Sequence, residues 1–287
     1  MTTLVTGATG SVGRHLVAQL VQAGQPVRAL TRRPAAADLP AGAEVVGGDL
    51  LAPDTLPAAL RGVARMFLFA VPETAQTVVD HAVRAGVRRI VVLSSSAVDD
   101  SVADDAVGSF GHAHHRPVER AVERAGVAWT HLRAGEFMLN TLDWAPELRA
   151  EGVVRGVNGH FPSAPIHEAD VASVAAAALL GDGHAGAKYF LTGPALITPV
   201  EQVRTIGAAL GRALQFVELT PDQARDLWRR RGMPSEVIEH LLWSPPAPPA
   251  DGGYAALVRV SPTVAEVTGR PARSYAEWVA DHVADFR

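Results

Sequence analysis

A short apolar segment that leads directly into three evenly spaced glycines and then into a helical pattern constrains this chain more than any other feature. Gly7, Gly10 and Gly13 follow the β-branched segment Thr3–Thr6. Glycines at these positions allow a tight turn after a strand, a close approach of the backbone to a pyrophosphate, and packing of the next helix on that strand. The segment therefore predicts a βαβ unit that binds a dinucleotide.

The rest of the first half alternates β-branched segments with helical periodicity, which is typical of a parallel sheet covered by helices. Strands are predicted at 3–6, 27–31, 44–47, 66–71, 90–94 and 129–132, and helices at 12–21, 55–60, 75–85 and 115–124. A helix at 171–180 and a strand at 189–192 are expected to return to the sheet, residues 198–231 to be helical, and residues 274–286 to form a final helix. The prolines of 245–249 predict a stiff surface connection.

These elements predict an α/β fold, a Rossmann-like doubly wound parallel sheet with a smaller C-terminal substrate-binding region. Residues 1–133, completed by about 167–193, are expected to form the dinucleotide-binding domain. Residues 134–166 and 194–287 are expected to form the substrate-binding region. Ligands of such folds bind at the carboxyl ends of the strands, so the site is expected there.

Charge and cysteine content exclude several classes of function. The 26 basic residues are balanced by 30 acidic ones, for a net charge of -4, which predicts that nucleic acid is not a partner. With no cysteine, the chain has no disulfide, thiolate metal site or cysteine nucleophile. The first strand begins too early for a signal peptide, and no apolar run approaches the roughly 20 residues that cross a bilayer. We expect a cytoplasmic protein without a membrane partner.

Six residues of the glycine loop are predicted to contact the dinucleotide: Gly7, Thr9, Gly10, Ser11, Val12 and Gly13. At the end of the second strand, NAD enzymes usually carry an acidic residue for the ribose 2′-hydroxyl. Here Arg32 and Arg33 offer cations to a 2′-phosphate instead. This favours NADP(H), with a pair of solvated arginines as the alternative.

Two further strand ends complete the predicted cofactor site. Asp49 and Leu50 end the third strand, where Asp49 is expected to contact the adenine amino group unless it only forms a turn. Phe69, Ala70 and Val71 end the fourth strand at the switch point of the sheet and are expected to line the dinucleotide cleft.

Eight segments carry a resemblance to a known family. They are Thr6–Gly13, Leu30–Pro34, Gly48–Leu50, Thr130–Arg133, Phe137–Asn140, Ile166–Ala172, Leu191–Pro194 and Tyr275–Trp278. Together they resemble the NmrA-like group of atypical short-chain dehydrogenases over nearly the whole chain. The resemblance implies a Rossmann-like domain with a small C-terminal region, and either NAD(P)H-dependent reduction or nucleotide sensing.

Ordinary short-chain dehydrogenases use a Tyr-x-x-x-Lys pair, in which the lysine lowers the pKa of a proton-donating tyrosine. Lys188 is the single lysine of this chain, and none of Tyr189, Tyr254 and Tyr275 precedes it at that spacing. Comparison with related reductases places His115 at the lysine position and Gly111 at the tyrosine position. His115 is therefore a candidate general acid or ribose contact, against the alternative of a partly exposed histidine at a helix start.

Other candidate residues lie at later strand ends. Ser94 is a candidate catalytic residue and Ser95 a candidate cofactor contact at the end of the fifth strand, unless both only end that strand. Beyond the sixth strand, the candidate substrate contacts are Glu136, Phe137, Asn140 and Trp144, with core packing as the alternative for Phe137. The histidines within 112–115 predict no metal site, because no cysteine or carboxylate lies at ligand spacing.

These residues favour an NADPH-dependent reductase of a small electron-poor molecule such as a quinone, enone or imine, since such acceptors need little acid assistance. The alternative is a non-catalytic NADP(H) sensor whose occupancy controls binding of a protein partner. A sugar-nucleotide epimerase or dehydratase is less favoured, because those relatives generally keep the tyrosine and lysine.

Overall fold

The computed structural model describes residues 1–102, 109–242 and 258–287. Part of the acidic segment after the fifth strand, the prolines of 245–249 and Tyr254 lie outside these ranges. The chain divides into two units, and the first contains Met1–Gly135, Glu168–Thr192 and Ser261–Ala272. The second contains Glu136–His167, Gly193–Val260 and Arg273–Arg287. Residues 261–272, assigned from the sequence to the substrate-binding region, thus belong to the first unit.

The strands of the described residues are β1 (Thr2–Val5), β2 (Val27–Thr31), β3 (Ala43–Gly47), β4 (Val63–Phe69), β5 (Arg89–Ser95), β6 (Ala128–Ala134), β7 (Val153–Gly156), β8 (Ala187–Leu191) and β9 (Gln215–Glu218). The helices are α1 (Ser11–Gln22), α2 (Pro57–Leu60), α3 (Ala75–Arg84), α4 (Phe110–Glu123), α5 (Ala145–Glu151), α6 (Glu168–Leu180), α7 (Pro199–Leu210), α8 (Pro221–Arg230), α9 (Ser235–Leu241), α10 (Thr263–Thr268) and α11 (Tyr275–His282). Short 3-10 helices include Met138–Trp144 and Val283–Phe286.

The first unit is built on a seven-stranded sheet in the order β3-β2-β1-β4-β5-β6-β8, and its strand pairs are parallel. This confirms the predicted Rossmann-like α/β fold. The strand order reverses between β1 and β4, so the switch point lies at the carboxyl ends of these two strands. Thr6 joins them there, because its Oγ1 donates to Phe67 O at 3.0 Å and accepts from Phe69 N–H at 2.8 Å.

Helices cover the sheet through small and apolar side chains. The alanine-rich α6 is buried along most of its length and packs against α1, where Gln19 Nε2 donates to Ala169 O at 3.1 Å. On the other face, α3 and α4 contribute Val78, Val79, Val118 and Val122 to one buried apolar cluster. Burial of these side chains is the main force that holds the layers together.

The second unit has its own core and a two-stranded parallel sheet of β7 and β9. Trp278 is fully buried in this core, stacked on Tyr275 with ring centroids 5.6 Å apart. Neither α5 nor β7 was predicted from the sequence. Residues 198–231, predicted to be helical, contain β9, because Gly211 at φ +63° ends α7 and the segment Gln215–Glu218 pairs with β7.

Two element boundaries differ from the sequence prediction for identifiable reasons. Helix α4 begins at Phe110 instead of His115, because the Ser109 side chain caps it by accepting from His112 N–H at 3.2 Å. Strand β4 ends at Phe69, ahead of a 3-10 turn that starts at Pro72. In the described part of the chain, none of the helices combines the length and apolar character that crossing a bilayer requires. The predicted cytoplasmic location stays a prediction.

Candidate active site

The glycine loop after β1 has a geometry that only glycine permits. Gly7 has a φ of +59°, and Gly10 N–H donates to Gly7 O at 2.9 Å. A Cβ atom placed on Gly13 would lie 2.1 Å from Gly7 O, far inside van der Waals contact. The start of α1 therefore presses directly on the loop, as the close packing of a dinucleotide-binding turn requires.

The first turn of α1 is left open toward an anion. Gly10 is its N-cap, no side chain accepts a hydrogen bond from the first turn, and no acidic residue lies in that turn. The unpaired N–H groups and the helix dipole there favour a negative charge. Phe69, 46% exposed, lies beside the loop, with its Cβ 3.3 Å from a Cβ placed on Gly7. These residues fit a dinucleotide pyrophosphate.

The adenosine end of the predicted site carries exposed cations. Arg32 and Arg33 follow β2 and are exposed, and neither guanidinium forms an ion pair within the described residues. At the end of β3, Asp49 Oδ1 accepts from Leu51 N–H at 3.0 Å, so the turn expected as an alternative does form. Leu50 is buried in the core.

The predicted nicotinamide side is formed by β5 and α4. Gly111 packs so closely on the end of β5 that a Cβ at this position would lie 2.6 Å from Ala97 Cβ and 3.7 Å from Ser95 Oγ. Ser95 Oγ itself accepts from Ala97 N–H at 3.1 Å. The position that carries tyrosine in ordinary short-chain dehydrogenases therefore lacks the space for any side chain.

His115 is half-buried on α4, and its Nδ1 is enclosed without a hydrogen-bond partner in this structure. Burial, and secondarily the neighbouring His114, lower the pKa of His115 to about 4, against the opposing pull of Glu119. The imidazole is therefore neutral near pH 7, when it carries one N–H donor and one acceptor nitrogen. Because Nδ1 has no exposed surface, a bound molecule would contact the other ring nitrogen, Nε2.

The neighbouring histidines have other roles. His112 is buried, and its Nδ1 accepts from Asp99 N–H at 3.1 Å, which ties the loop after β5 to α4. His114 contacts the ring of His115 edge to face, with centroids 5.0 Å apart. Among the residues that the structure describes, Glu119, Glu123 and His131 place one ligand atom each within 4.8 Å of one another, but these carboxylates already bind arginines.

Ser94 belongs to a buried ionic network that sequence reasoning missed. Its Oγ donates to Glu119 Oε1 at 2.6 Å, and Arg133 donates to the same carboxylate at 3.0 and 2.8 Å. Arg133 also binds Asp100, which accepts from Lys188 Nζ at 2.9 Å. Burial alone would raise the pKa of Glu119, but the hydrogen bonds from Arg133 and Ser94 outweigh it and hold that pKa below its usual value.

The contacts of this network show that Lys188, the single lysine, and Ser94 both bind partners within the protein. Lys188 lies on β8, two strands from β5, and holds the loop after β5 through Asp100. The hydroxyl proton of Ser94 points to Glu119, and Ser94 is 3% exposed. The catalytic role predicted for Ser94 stays a prediction.

The four candidate substrate residues belong to the second unit, whose first residue is Glu136. Glu136 and Asn140 are exposed, while Phe137 and Trp144 are half-buried. Glu136 O accepts from Ile166 N–H at 2.8 Å, and the Trp144 ring meets Phe216 edge to face at 6.4 Å. Trp144 thus packs on the core of its own unit. Their predicted contacts with substrate stay predictions.

The second unit also contains a cavity of about 420 Å³ that sequence reasoning did not find. Its lining includes Met138, Pro165, Leu196, Ile197, Arg204 and Thr205. These residues come from segments far apart in the sequence, so no local pattern marks them.

Comparison with known proteins places this geometry among nicotinamide-dependent proteins. A family described as NAD(P)H-binding matches residues 7–182. The chain is 43% identical over 287 residues to the (4-alkanoyl-5-oxo-2,5-dihydrofuran-3-yl)methyl phosphate reductase of Streptomyces griseus, covering 99% of this chain and 98% of that one. It is 35% identical over 291 residues to the NAD(P)H azoreductase of Xenophilus azovorans, covering 99% and 98%. The Escherichia coli NADPH-dependent quinone oxidoreductase, solved in complex with NADPH, superposes with a TM-score of 0.77 at 25% identity, covering 97% and 99%.

Proposed function

Because the chain belongs to the NAD(P)H-binding family, we propose that it uses NADPH in preference to NADH to reduce a small, conjugated, electron-poor acceptor. The protein is an NAD(P)H-dependent oxidoreductase that acts on a small molecule. The proposed preference for NADPH rests on the two arginines that follow β2. The proposed substrate class rests on the lack of a strong acid in the site and on the acceptors that the names of the relatives describe.

The glycine loop and the two arginines support the cofactor assignment. The open first turn of α1 would hold the pyrophosphate, and Arg32 and Arg33 would bind the 2′-phosphate that distinguishes NADPH from NADH. Both arginines follow β2, next to β1 in the sheet, so they lie at the same edge as the loop. Asp49, Phe69 and Val71 would line the dinucleotide cleft, whereas Leu50 and Ala70, predicted to line it as well, have buried side chains.

The lack of a strong acid supports the substrate class. NADPH supplies a hydride when bound. Gly111 leaves no space for a proton-donating tyrosine, and neutral His115 is not a cationic acid. Substrates whose negative charge is delocalised over a conjugated carbonyl need the least help from an acid. The relatives' names describe an alkanoyl-substituted unsaturated lactone, an azo compound and a quinone, all of which are electron-poor acceptors.

His115 is the residue of α4 that we assign to the reaction site. Its other ring nitrogen, Nε2, which is not among the enclosed atoms, would hydrogen-bond a ribose hydroxyl or the acceptor oxygen, and so position the reacting groups. Ser95, at the end of β5, would contact the nicotinamide carboxamide, while Glu136, Phe137, Asn140 and Trp144 would contact the substrate.

The cofactor assignment is tested by measuring the dissociation constants of NADPH and NADH for the protein and for Arg32→Ala and Arg33→Ala. Loss of a charged hydrogen bond to the 2′-phosphate is expected to weaken the binding of NADPH by about tenfold or more and to leave the binding of NADH unchanged. Arg61→Ala, at an exposed arginine that follows α2, is the matched control. Equal affinity for both cofactors in the unmodified protein would contradict the assignment.

The substrate class is tested by NADPH oxidation on a panel of a quinone, a butenolide with a conjugated ketone, an azo dye and an unconjugated ketone. Turnover is expected on the conjugated acceptors and not on the unconjugated ketone. Tight binding of NADPH without turnover on any member would favour the sensor alternative instead.

A further inference from the structure

We propose that the cavity of the second unit is a binding site for an amphiphilic organic anion, with Arg204 as the contact for its charged end. The cavity lies wholly within the second unit, between the segment after β8, one side of α7 and the start of α11. Its volume of about 420 Å³ lies within the range of small-molecule sites. This proposal does not depend on the reductase chemistry.

The walls of the cavity are held in place before any ligand binds. Helix α7 begins with a capping box in which Glu201 Oε2 accepts from Thr198 N–H at 2.8 Å. Helix α11 begins with the same arrangement, in which Glu277 Oε2 accepts from Ser274 N–H at 2.7 Å. Both helix starts are thereby fixed, and α7 and α11 pack on one buried core. A preformed cavity binds its ligand without paying for ordering of the walls.

The apolar side chains of the cavity lining favour a ligand with an apolar portion. Met138, Pro165, Leu196 and Ile197 line it, and Met138 and Pro165 are buried. These side chains offer alkyl surface and no hydrogen-bonding group. Such a lining favours an alkyl or acyl chain through the hydrophobic effect.

Apart from Arg204 and the Tyr275 hydroxyl, the polar side chains of the lining already have partners within the protein. Thr205 Oγ1 donates to Glu201 O at 2.8 Å, and Ser274 Oγ donates to Glu277 Oε2 at 2.7 Å. Glu201 Oε2 also accepts from Thr198 Oγ1 at 2.8 Å. These three polar groups of the lining are therefore committed to the helix caps and turns.

Arg204 is the charged group of the lining that stays available. It is exposed on α7 and makes no hydrogen bond or ion pair with a residue that the structure describes. Glu201 lies one turn earlier on α7 and attracts it only at longer range. A guanidinium has five donors and no acceptor, so the group that it binds is an anion, a phosphate ester or a carboxylate.

The test measures binding by isothermal titration calorimetry, with hexyl phosphate and hexanoate as the anions. Hexanol has the six-carbon chain without a charged group, and inorganic phosphate has the charged group without the chain. We expect both hexyl anions to bind more tightly than either half-probe. Arg204→Gln should weaken both by about tenfold, as expected for loss of a charged hydrogen bond, and Ile197→Trp should abolish binding by filling the cavity. Arg230→Gln, an exposed helical arginine of the same unit outside the lining, should change nothing.

Equal binding of hexanol, equal binding of inorganic phosphate, or unchanged affinity in Arg204→Gln would overturn the proposal. So would displacement of the hexyl anions by NADPH, because the probe would then occupy the phosphate sites of the cofactor. Arg204→Gln is an exposed substitution that keeps the helix, so it reports on binding even where Ile197→Trp fails to fold. Turnover on the acceptor panel is measured separately, so failure of this proposal and failure of the reductase assignment are distinguished.

Discussion

His131 provides a quantitative test of the packing between β6 and the helix layer. Its side chain is fully buried, stacked on Trp129 with ring centroids 4.4 Å apart, and its Nε2 lies 3.3 Å from Glu123 Oε1. Burial lowers the pKa of His131 to about 4, although Glu119 and Glu123 favour its charged form. In the unfolded chain a histidine titrates near pH 6.5.

The sign of the pH dependence follows from these two values. As the pH falls below about 6.5, the unfolded chain binds the proton before the folded protein does, so stability is present above this pH and is lost toward pH 4. At pH 5, binding of the proton stabilises the unfolded chain by a factor of about 33 and the native protein by a factor of about 1.1. The ratio of these factors favours unfolding by about 2 kcal/mol. At pH 7 the same difference is well below 1 kcal/mol, so this one side chain destabilises the fold by about 2 kcal/mol between pH 7 and pH 5.

His131→Phe removes this titration and keeps a ring on Trp129. Its free energy of unfolding should therefore fall by about 2 kcal/mol less than that of the unmodified protein between pH 7 and pH 5. Urea unfolding followed by circular dichroism gives this difference, and native-state hydrogen exchange of β6 reports it for the first unit even if the two units unfold separately. The exposed His160→Gln is the control and should follow the unmodified protein. An equal loss of stability in His131→Phe and in the unmodified protein would refute the reasoning.

Other substitutions test the site and the network. Gly13→Ala should abolish NADPH binding in a calorimetric titration, because its Cβ would lie 2.1 Å from Gly7 O. The double substitution Gly111→Tyr and His115→Lys should lower the melting temperature without raising turnover, because a side chain at position 111 meets Ala97; a gain of activity would show that the space can open. His115→Ala should lower kcat by about 100-fold and His115→Gln by less, with kcat of the unmodified protein flat from pH 6 to pH 8; a fall of kcat above pH 6.5 would instead indicate a cationic acid. Arg133→Met should destabilise the fold by about 3 kcal/mol in urea unfolding, because Glu119 stays buried, whereas the more exposed Lys188→Met should cost less than about 1 kcal/mol; equal effects would contradict the network.

The features that local sequence determines were predictable. Strand β2 was predicted with its observed bounds, and α1 and α3 with bounds close to those observed, because each has a clear apolar pattern and a glycine follows shortly after each of the two helices. The positive φ of Gly24 and Gly86, after α1 and α3, is the conformation that ends such helices. Prediction from the sequence failed where a strand forms because of its pairing partner and not because of its local residue pattern. Strand β9 lies in a polar stretch and is defined by its register with β7, which local periodicity does not reveal.

The candidate site divides in the same way. The glycine loop and the arginines after β2 are local signals, so sequence alone indicated them. The partners of Ser94 and Lys188 are 25 and 88 residues away, at Glu119 and Asp100, and only the fold brings them together. Sequence reasoning likewise assumed an ordinary pKa for His115, because the desolvation that lowers it comes from packing around α4.

The close packing of α4 on β5 links the missing tyrosine to the neutral histidine. Gly111 lets the helix approach until its Cα region touches Ala97, and the half-buried His115 follows four residues later, one turn along α4. Replacing glycine by a larger residue would push the helix outward, expose His115 and raise its pKa toward the ordinary value. The helix therefore cannot hold a tyrosine at position 111 and a buried neutral imidazole at position 115 together. If the reaction site lies beside α4 as proposed, it would have no strong acid, which suits acceptors that delocalise the incoming charge themselves.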